Sequence, residues 1–334
     1  MNTLNQHTQP PLLELRNLSV SFQEKKQLAV DQVSFSIKPG RTLGLVGASG
    51  AGKSSIARVI MRLLEPDSGE IFFQGENILQ MDSRQLTTTR QRMQLVFQEP
   101  SASLSPRRTV EQTLLEPLKH FAIGNTSSRQ DKIRQILQTV GLDLDVLQRY
   151  PHQFSSGQQQ RIAIARALVT NPDLLIADEA VSSLDVSIQA QILQLIQTLQ
   201  KEHGITFLFI SHDLGVIRQI ADEVAIMYRG QLLEQAPADL FFSQPAHPYS
   251  KALLSFARGE TPVHLTDNKW RLERGRTRTD KTSSCVFVQN CADKMPVCDR
   301  LEPVSYNIQH KNQHAPEPHC VRCHIYNEAD TNET

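Results

Sequence analysis

The chain is 334 residues long, and 39% of them are hydrophobic; at roughly 150 residues per domain this suits about two folded domains and excludes a disordered or fibrous chain. Thirty-five Lys and Arg balance 35 Asp and Glu, so no global positive field is available to hold a polyanion, and nucleic acid is not the expected partner. The apolar runs, such as Ile205 to Ile210, fall far short of the roughly 20 residues of a bilayer span. The opening M-N-T-L-N-Q-H-T-Q-P-P lacks the basic and apolar regions of a secretory signal, so the expectation is a cytosolic protein.

In chain order, Leu13, Leu15, Leu18, Val20 and Phe22 roughly alternate, and Val33, Phe35 and Ile37 repeat the pattern before the Pro39-Gly40 turn, which predicts strands solvated on one face. Leu43-Gly44-Leu45-Val46 then enters a glycine-rich loop and a helix predicted from about Lys53 to Leu64, the strand-loop-helix order of an α/β nucleotide fold. Ile71 to Phe73 and Met93 to Phe97 add strands. From about 99 to 165 the character is helical, with Ile133, Ile136, Leu137 and Val140 at helical spacing and Gly141 as a stop. The α/β alternation resumes with a buried strand at Leu174 to Ala177, a helix from about Ser187 to Glu202 and a second buried strand from Ile205 to Ile210. A hairpin through Arg229-Gly230 follows. Beyond about residue 260 the chain turns polar, and Arg271, Arg274, Arg276, Arg278 and Lys281 read as a solvated linker or domain edge.

The strongest chemical pattern is G-A-S-G-A-G-K-S at 47–54, which matches G-x-x-x-x-G-K-[ST] between a predicted strand and a predicted helix. Gly47, Gly50 and Gly52 let backbone N–H groups wrap a phosphate chain at the positive end of a helix. Lys53 should reach the β- and γ-phosphates, and Ser54 should ligate Mg²⁺. Asp178 and Glu179 end an apolar strand, where open α/β sheets bind ligands. Asp178 suits Mg²⁺ coordination and Glu179 suits a general base on attacking water; an acid pair here could otherwise cap the next helix.

Residues 153–168, Q-F-S-S-G-Q-Q-Q-R-I-A-I-A-R-A-L, resemble the signature of ATP-binding cassette (ABC) ATPases, whose usual form is L-S-G-G-Q. Gln98 in V-F-Q-E-P resembles that family's Q-loop, Ser183-Leu184-Asp185 its D-loop and His212 in I-S-H-D its switch histidine, while Phe22 lies where the family stacks an aromatic on adenine. The resemblance implies a P-loop fold with a RecA-like parallel-sheet core, an antiparallel β subdomain and a helical subdomain at about 99–165, all within 1–258, with a small extension over 259–334. It implies a head-to-tail dimer that holds each ATP between two subunits. Phe22, Gly47, Ser49, Gly50, Gly52, Lys53, Ser54, Ser55, Asp178, Ser155, Gly157, Gln158 and Asp185 would bind nucleotide, with Ser155 and the Gly157 N–H donating to a γ-phosphate offered by the partner. Gln98, Glu179 and His212 would be catalytic, and Ser54, Gln98 and Asp178 would hold Mg²⁺. Two positions depart from the family. Ser156 stands for the first signature glycine, where a left-handed backbone would be strained and the site weakened, and Ala180 replaces a frequent proline without removing a functional group.

H-P-Y-S-K-A-L-L at 247–254, Y-P-H-Q-F-S at 150–155 and V-F-Q-E-P-S-A-S-L-S-P-R-R-T-V at 96–110 resemble the importer ATPases for oligopeptides, dipeptides and, in some branches, nickel. That resemblance implies two permease subunits, a second and often different ATPase subunit, an external solute-binding protein and a peripheral position on the cytoplasmic face of the inner membrane. Nickel or short sugars are alternative cargoes. A soluble ABC ATPase of DNA repair or translation and a subunit that binds ATP without hydrolysing it are the readings from other classes. All five cysteines fall after residue 284, an odd count that argues for metal ligation or free thiols over a disulfide framework. Cys285, Cys291, Cys298 and Cys323 resemble the subfamily's [4Fe-4S] ligands, with Cys320 spare; zinc and free thiols remain the alternatives.

Overall fold

A computed structural model of the chain describes residues 10–22, 27–99, 103–260, 284–309 and 318–327. The basic run from Arg271 to Lys281 and the Phe22 side chain lie outside the described residues. The first elements are β1 (Leu13–Phe22), β2 (Gln27–Ile37), β3 (Thr42–Gly47), α1 (Lys53–Ile60), β4 (Ser68–Phe73) and β5 (Glu76–Asn77). Next come α2 (Ser83–Arg92), β6 (Met93–Val96) and the helices α3 (Val110–His120), α4 (Thr126–Thr139) and α5 (Ser156–Leu168). β7 (Leu174–Asp178), α6 (Val186–His203), β8 (Thr206–Ser211) and α7 (Leu214–Ile220) lead to the hairpin β9 (Glu223–Tyr228) and β10 (Gln231–Pro237). The chain closes with α8 (Ala238–Ser243), α9 (Pro248–Ala257), β11 (Ser305–Ile308) and β12 (His319–Arg322).

Strands β2-β1-β4-β5 form an antiparallel sheet, and the rest form an eight-stranded sheet in the order β11-β12-β10-β9-β3-β8-β7-β6. The run from β9 to β6 is parallel, with β3 between β8 and β9. Alternation explains why these strands read as unbroken apolar runs: Phe207 and Phe209 of β8 enter one core, while Leu208 and Ile210 enter the other. One core lies under the four-stranded sheet, through Leu15, Val33 and Ile56. The other joins the helices through Leu114, Leu137 and Ile162. The α/β class expected from the sequence is the one observed. No helix among the described residues is long and apolar enough to cross a membrane.

Helix boundaries follow their caps. Thr109 and Gln112 form a capping box at the start of α3, and α4 ends at Thr139 with Gly141 left-handed at φ 69°. The helix expected to run to Leu64 stops at Ile60, because Arg62 turns left-handed at φ 49° and its Nη1 donates to Met81 O at 2.7 Å. The strain expected at Ser156 is absent: Ser156 opens α5 on a right-handed backbone, behind a capping box made by Ser155 and Gln158. Gly157 is the position with a packing demand, since a Cβ there would lie 2.4 Å from Ile188 Cγ2 of α6.

The polar reading beyond residue 260 missed two strands. β12 pairs antiparallel with β10, placing Glu234 opposite Val321, and β11 pairs with β12. Four-residue strands are too short to show a period, and the sheet edge supplies their order. A buried carboxylate fastens this join. Glu234, 1% exposed, accepts from Ala246 N at 2.8 Å, His247 N at 2.7 Å and His319 Nε2 at 2.9 Å. Burial would raise its pKa, but these hydrogen bonds outweigh burial and hold it below the usual carboxylate range. His247 caps α9, with Nδ1 accepting from Tyr249 N at 3.0 Å.

Two outcomes follow from this packing. Ser156→Gly should lower stability by no more than about 1 kcal/mol, the cost of glycine in a helix; a raised denaturation midpoint would show relief of strain instead. Burial brings the His247 pKa down from 6.5 to about 4, so between those values the unfolded chain binds a proton that the folded chain does not. Stability therefore falls as pH drops through this window, by up to about 3 kcal/mol, and Glu234 adds to the loss below the normal glutamate pKa. His247→Asn keeps a capping acceptor without a titrating group. The melting temperature of this variant should drop less than wild type between about pH 7.5 and about pH 5, and an equal drop would remove His247 as the cause.

Candidate active site

The phosphate loop runs from the end of β3 to the start of α1. Gly50 and Gly52 hold φ of 79° and 102°, and a Cβ on Gly52 would lie 2.1 Å from Ala29 O of β2, so the loop takes a shape and a closeness to the neighbouring sheet that only glycine allows. Gly47 meets the same demand from β9, where a Cβ would lie 2.4 Å from Met227 O. The loop lines an open cleft of about 250 Å³ together with Ala29, Ser49, Lys53, Ser54, Ser55, Gln98 and Glu179.

Lys53 is 4% exposed, and its Nζ donates to Gly47 O at 2.8 Å and Ala48 O at 3.0 Å. Burial lowers its pKa while Glu179 and Asp178 act in the opposite direction. Ser54 Oγ donates to Asp178 Oδ1 at 3.0 Å. Burial pushes the Asp178 carboxyl up, the Ser54 hydrogen bond opposes that, and Glu179 adds to it. A hydroxyl and a destabilised carboxylate side by side fit a divalent cation, whose charge would offset the burial penalty.

Glu179 sits one residue past the end of β7. Its φ of 49° is left-handed, a conformation costly for a side-chain-bearing residue. It is held by Glu179 N donating to Ile210 O at 3.0 Å and by Ser182 Oγ donating to Glu179 O at 3.0 Å. The resulting direction puts the carboxylate between two polar groups. Gln98 Nε2 donates to Oε2 at 3.0 Å, and His212 Nδ1 lies 3.5 Å from Oε1. This gives a base with two positioning partners beside a phosphate cradle, which is the equipment for activating water against a phosphoryl group.

The fold thus brings together the loop residues 47–55, Gln98, Asp178, Glu179 and His212. It does not bring in Ser155, Gly157, Gln158 or Asp185, none of which lines the cleft. Ser155 caps α5, and Asp185 precedes α6 beside Val186, which is 83% exposed. Sequence reasoning missed Ala29, which offers only backbone and a methyl group and so leaves no chemical signal.

None of the five cysteines is joined in a disulfide. Cys285, Cys291, Cys298 and Cys323 are buried, and Cys320 on β12 is half-buried. Burial pushes Cys291 and Cys323 up to about 12, and Cys285 and Cys298 add to the effect on each. Backbone N–H groups of Phe287, Asp293 and Ile325 act on Cys285, Cys291 and Cys323 in turn. The donor chemistry fits a four-thiolate centre. Among the described residues, however, no three His, Cys, Asp or Glu side chains are arranged to hold a metal ion, so the expected [4Fe-4S] cluster is not supported by ligand geometry.

Residues 30–182 match the ABC transporter family, and residues 233–298 match the oligopeptide/dipeptide transporter C-terminal region. The chain is 42% identical to the putative oligopeptide transport ATP-binding protein YkfD of Bacillus subtilis, covering 97% of this chain and 98% of that protein. It is 46% identical to the oligopeptide transport ATP-binding protein OppF of the same organism, over 80% of this chain and 88% of that one. Among solved structures, the dimeric post-hydrolysis state of the ATP-binding cassette MJ0796, bound to ADP and Pi, superposes with a TM-score of 0.62 at 28% identity, covering 68% of this chain and 98% of that one. A phosphate loop facing a braced glutamate, and near-full-length similarity to these ATP-binding proteins, place this chain in the ABC transporter family as an ATPase carrying the oligopeptide/dipeptide transporter C-terminal region.

Proposed function

We propose that the chain hydrolyses ATP to drive a peptide importer, working at the cytoplasmic face of a membrane with two permease subunits, a second ATPase subunit and an external solute-binding protein. The observation that carries the reading is the placement of Glu179 between Gln98 and His212 beside the phosphate loop. The transport relatives and the matched C-terminal region support peptides as cargo.

In this reading residues 1–258 are the nucleotide-binding domain and 259–334 an extension of it. Gly47, Ser49, Gly50, Gly52, Lys53, Ser54 and Ser55 bind the phosphates, with Phe22 at the adenine. Lys53 leaves its two carbonyl partners for the phosphates, and Glu179 takes a proton from water that Gln98 and His212 help to hold. Ser54, Gln98 and Asp178 hold Mg²⁺, which neutralises charge on the phosphates. Ser155, Gly157, Gln158 and Asp185, absent from their own cleft, act on the ATP of the second subunit. A groove lined by Leu63, Leu95, Phe97, Pro117 and Phe121, with Leu63 58% and Phe97 42% exposed, offers an apolar seat for a permease segment. The four buried cysteines would hold a [4Fe-4S] centre in this reading, supported by the burial of all four and by the hydrogen bond from Cys285 N to Cys298 O at 2.9 Å.

Glu179→Gln should keep ATP affinity and reduce turnover by roughly 10²- to 10⁴-fold in the assembled complex, the usual share of general-base assistance. Unchanged steady-state hydrolysis would remove Glu179 from this role. Anaerobically purified chain should contain about four iron and four sulfide. Zinc without iron, or neither metal, would overturn the cluster.

A further inference from the structure

Asp31 of β2 is joined to the hairpin beside it at two points. Its N–H donates to Gly230 O at 2.8 Å, and its Oδ2 accepts from Gln231 Nε2 at 2.8 Å. Gly230 turns the chain from β9 into β10 with φ of 87°, and Gln231, 1% exposed, opens β10 opposite Tyr228. Asp31, Gly230 and Gln231 have no part in the nucleotide site described above.

The same turn reaches the phosphate loop. Gly230 N donates to Ala51 O at 3.0 Å. In a trans peptide the N–H points opposite to the C=O, so this bond sets the direction of the Gly52 N–H, away from Gly230. Gly52 lines the cleft at the start of α1, where backbone N–H groups meet a phosphate. Asp31 and Ala51 are 6% and 4% exposed, and hydrogen bonds screened from water hold their geometry more firmly than exposed ones.

The other end of the Gln231 amide belongs to the C-terminal extension. Nε2 also donates to the Glu302 carboxylate. Arg322 of β12 keeps that carboxylate in place, with Nη2 3.3 Å from Glu302 Oε1 and Nε donating to Pro303 O at 2.8 Å. One NH₂ group thus spans two carboxylates, 200 residues away in sequence on one side and 71 on the other. Gln231 Oε1 is buried and closes no hydrogen bond, a cost that an apolar side chain of the same length would not carry. What the nitrogen joins gives the amide its use.

We propose that Gln231 is a positioning residue for the phosphate loop, and that through its amide the docked extension raises the affinity for nucleotide. This inference rests on reading residues 47–54 as the phosphate site. With β12 docked, Arg322 and Glu302 fix Gln231, Gln231 and Gly230 fix Asp31, and Gly230 fixes the peptide that presents the Gly52 N–H. With the extension away, the amide loses its Glu302 acceptor and the turn loses a constraint. Linkage is reciprocal, so the factor that docking adds to nucleotide affinity is the factor that nucleotide adds to docking.

The test uses the full chain and MgADP, which carries phosphates for the loop but no γ-phosphate to offer a second subunit. Gln231→Met and Glu302→Leu should each weaken MgADP binding by about 3- to 10-fold in a titration, the worth of one hydrogen bond. The double variant should stay within about twofold of the weaker single one, because both changes break the same link. Glu302→Gln keeps an acceptor for the amide and should remain within about twofold of wild type. In wild type, MgADP should slow hydrogen exchange at the backbone amides of β12 by the same factor, about 3- to 10-fold, and in Gln231→Met by less than about twofold. Wild-type affinity in either Gln231→Met or Glu302→Leu would overturn the proposal. So would losses that multiply in the double variant, which mark two separate structural defects, or a Glu302→Gln chain as weak as Glu302→Leu. Exchange at β12 that ignores MgADP in wild type overturns it whether or not the variants fold. A wild-type chain that binds no MgADP would instead reject the phosphate-site reading itself.

Discussion

An ammonium group buried to 4% exposure must be surrounded by oxygen, and the arrangement around Lys53 organises the rest of the site. Two loop carbonyls receive it, and two carboxylates stand near enough to oppose the effect of burial on its proton affinity. The loop can offer those carbonyls only if its peptides turn inward, which needs left-handed glycines. Left-handed Gly52 in turn lets β2 close to within a distance no side chain would survive, and Gly47, without a left-handed backbone, does the same for β9. A glycine loop at the start of α1 is the kind of site where backbone N–H groups can meet a polyanion. Charge burial, loop shape and contact between the two sheets are thus one constraint seen from three sides.

Legibility in the sequence tracked the kind of physics involved. Strands β3, β7, β8 and β9 could be read because both faces are buried, so Phe207 through Ile210 carry an unbroken apolar signal. The phosphate loop could be read because its chemistry demands specific residues at fixed spacing. Glu234 could not: a lone glutamate in a strand looks like a solvated one, and only the fold brings His319, 85 residues away, against it. Ser156 misled for the opposite reason, since a departure from a glycine pattern suggests strain, whereas the helix starts there on an ordinary backbone. β11 and β12 carry too few residues for any period to emerge.

The signature serine and the phosphate loop of one chain do not meet, although both are well formed. Ser155 is already capped onto α5 through Gln158, and the glutamate is already braced by Gln98 and His212. Preparation of each half within its own subunit means that bringing two subunits together need only align surfaces. It would not have to rebuild either half. Beside Asp185, Val186 stands 83% exposed.

The pairing of β12 onto β10 also bears on how the molecule avoids its own kind. Without those strands β10 would be the rim of the large sheet, seven residues long, offering a free ladder of N–H and C=O groups to any extended chain. It would also show a carboxylate evolved for a dry setting. With them, the rim becomes the four-residue β11, exposed at alternate positions and too brief to template another strand. The extension is in this sense a guard against strand-to-strand association, and the purchase it gains on the core through Glu234 is what keeps that guard in place.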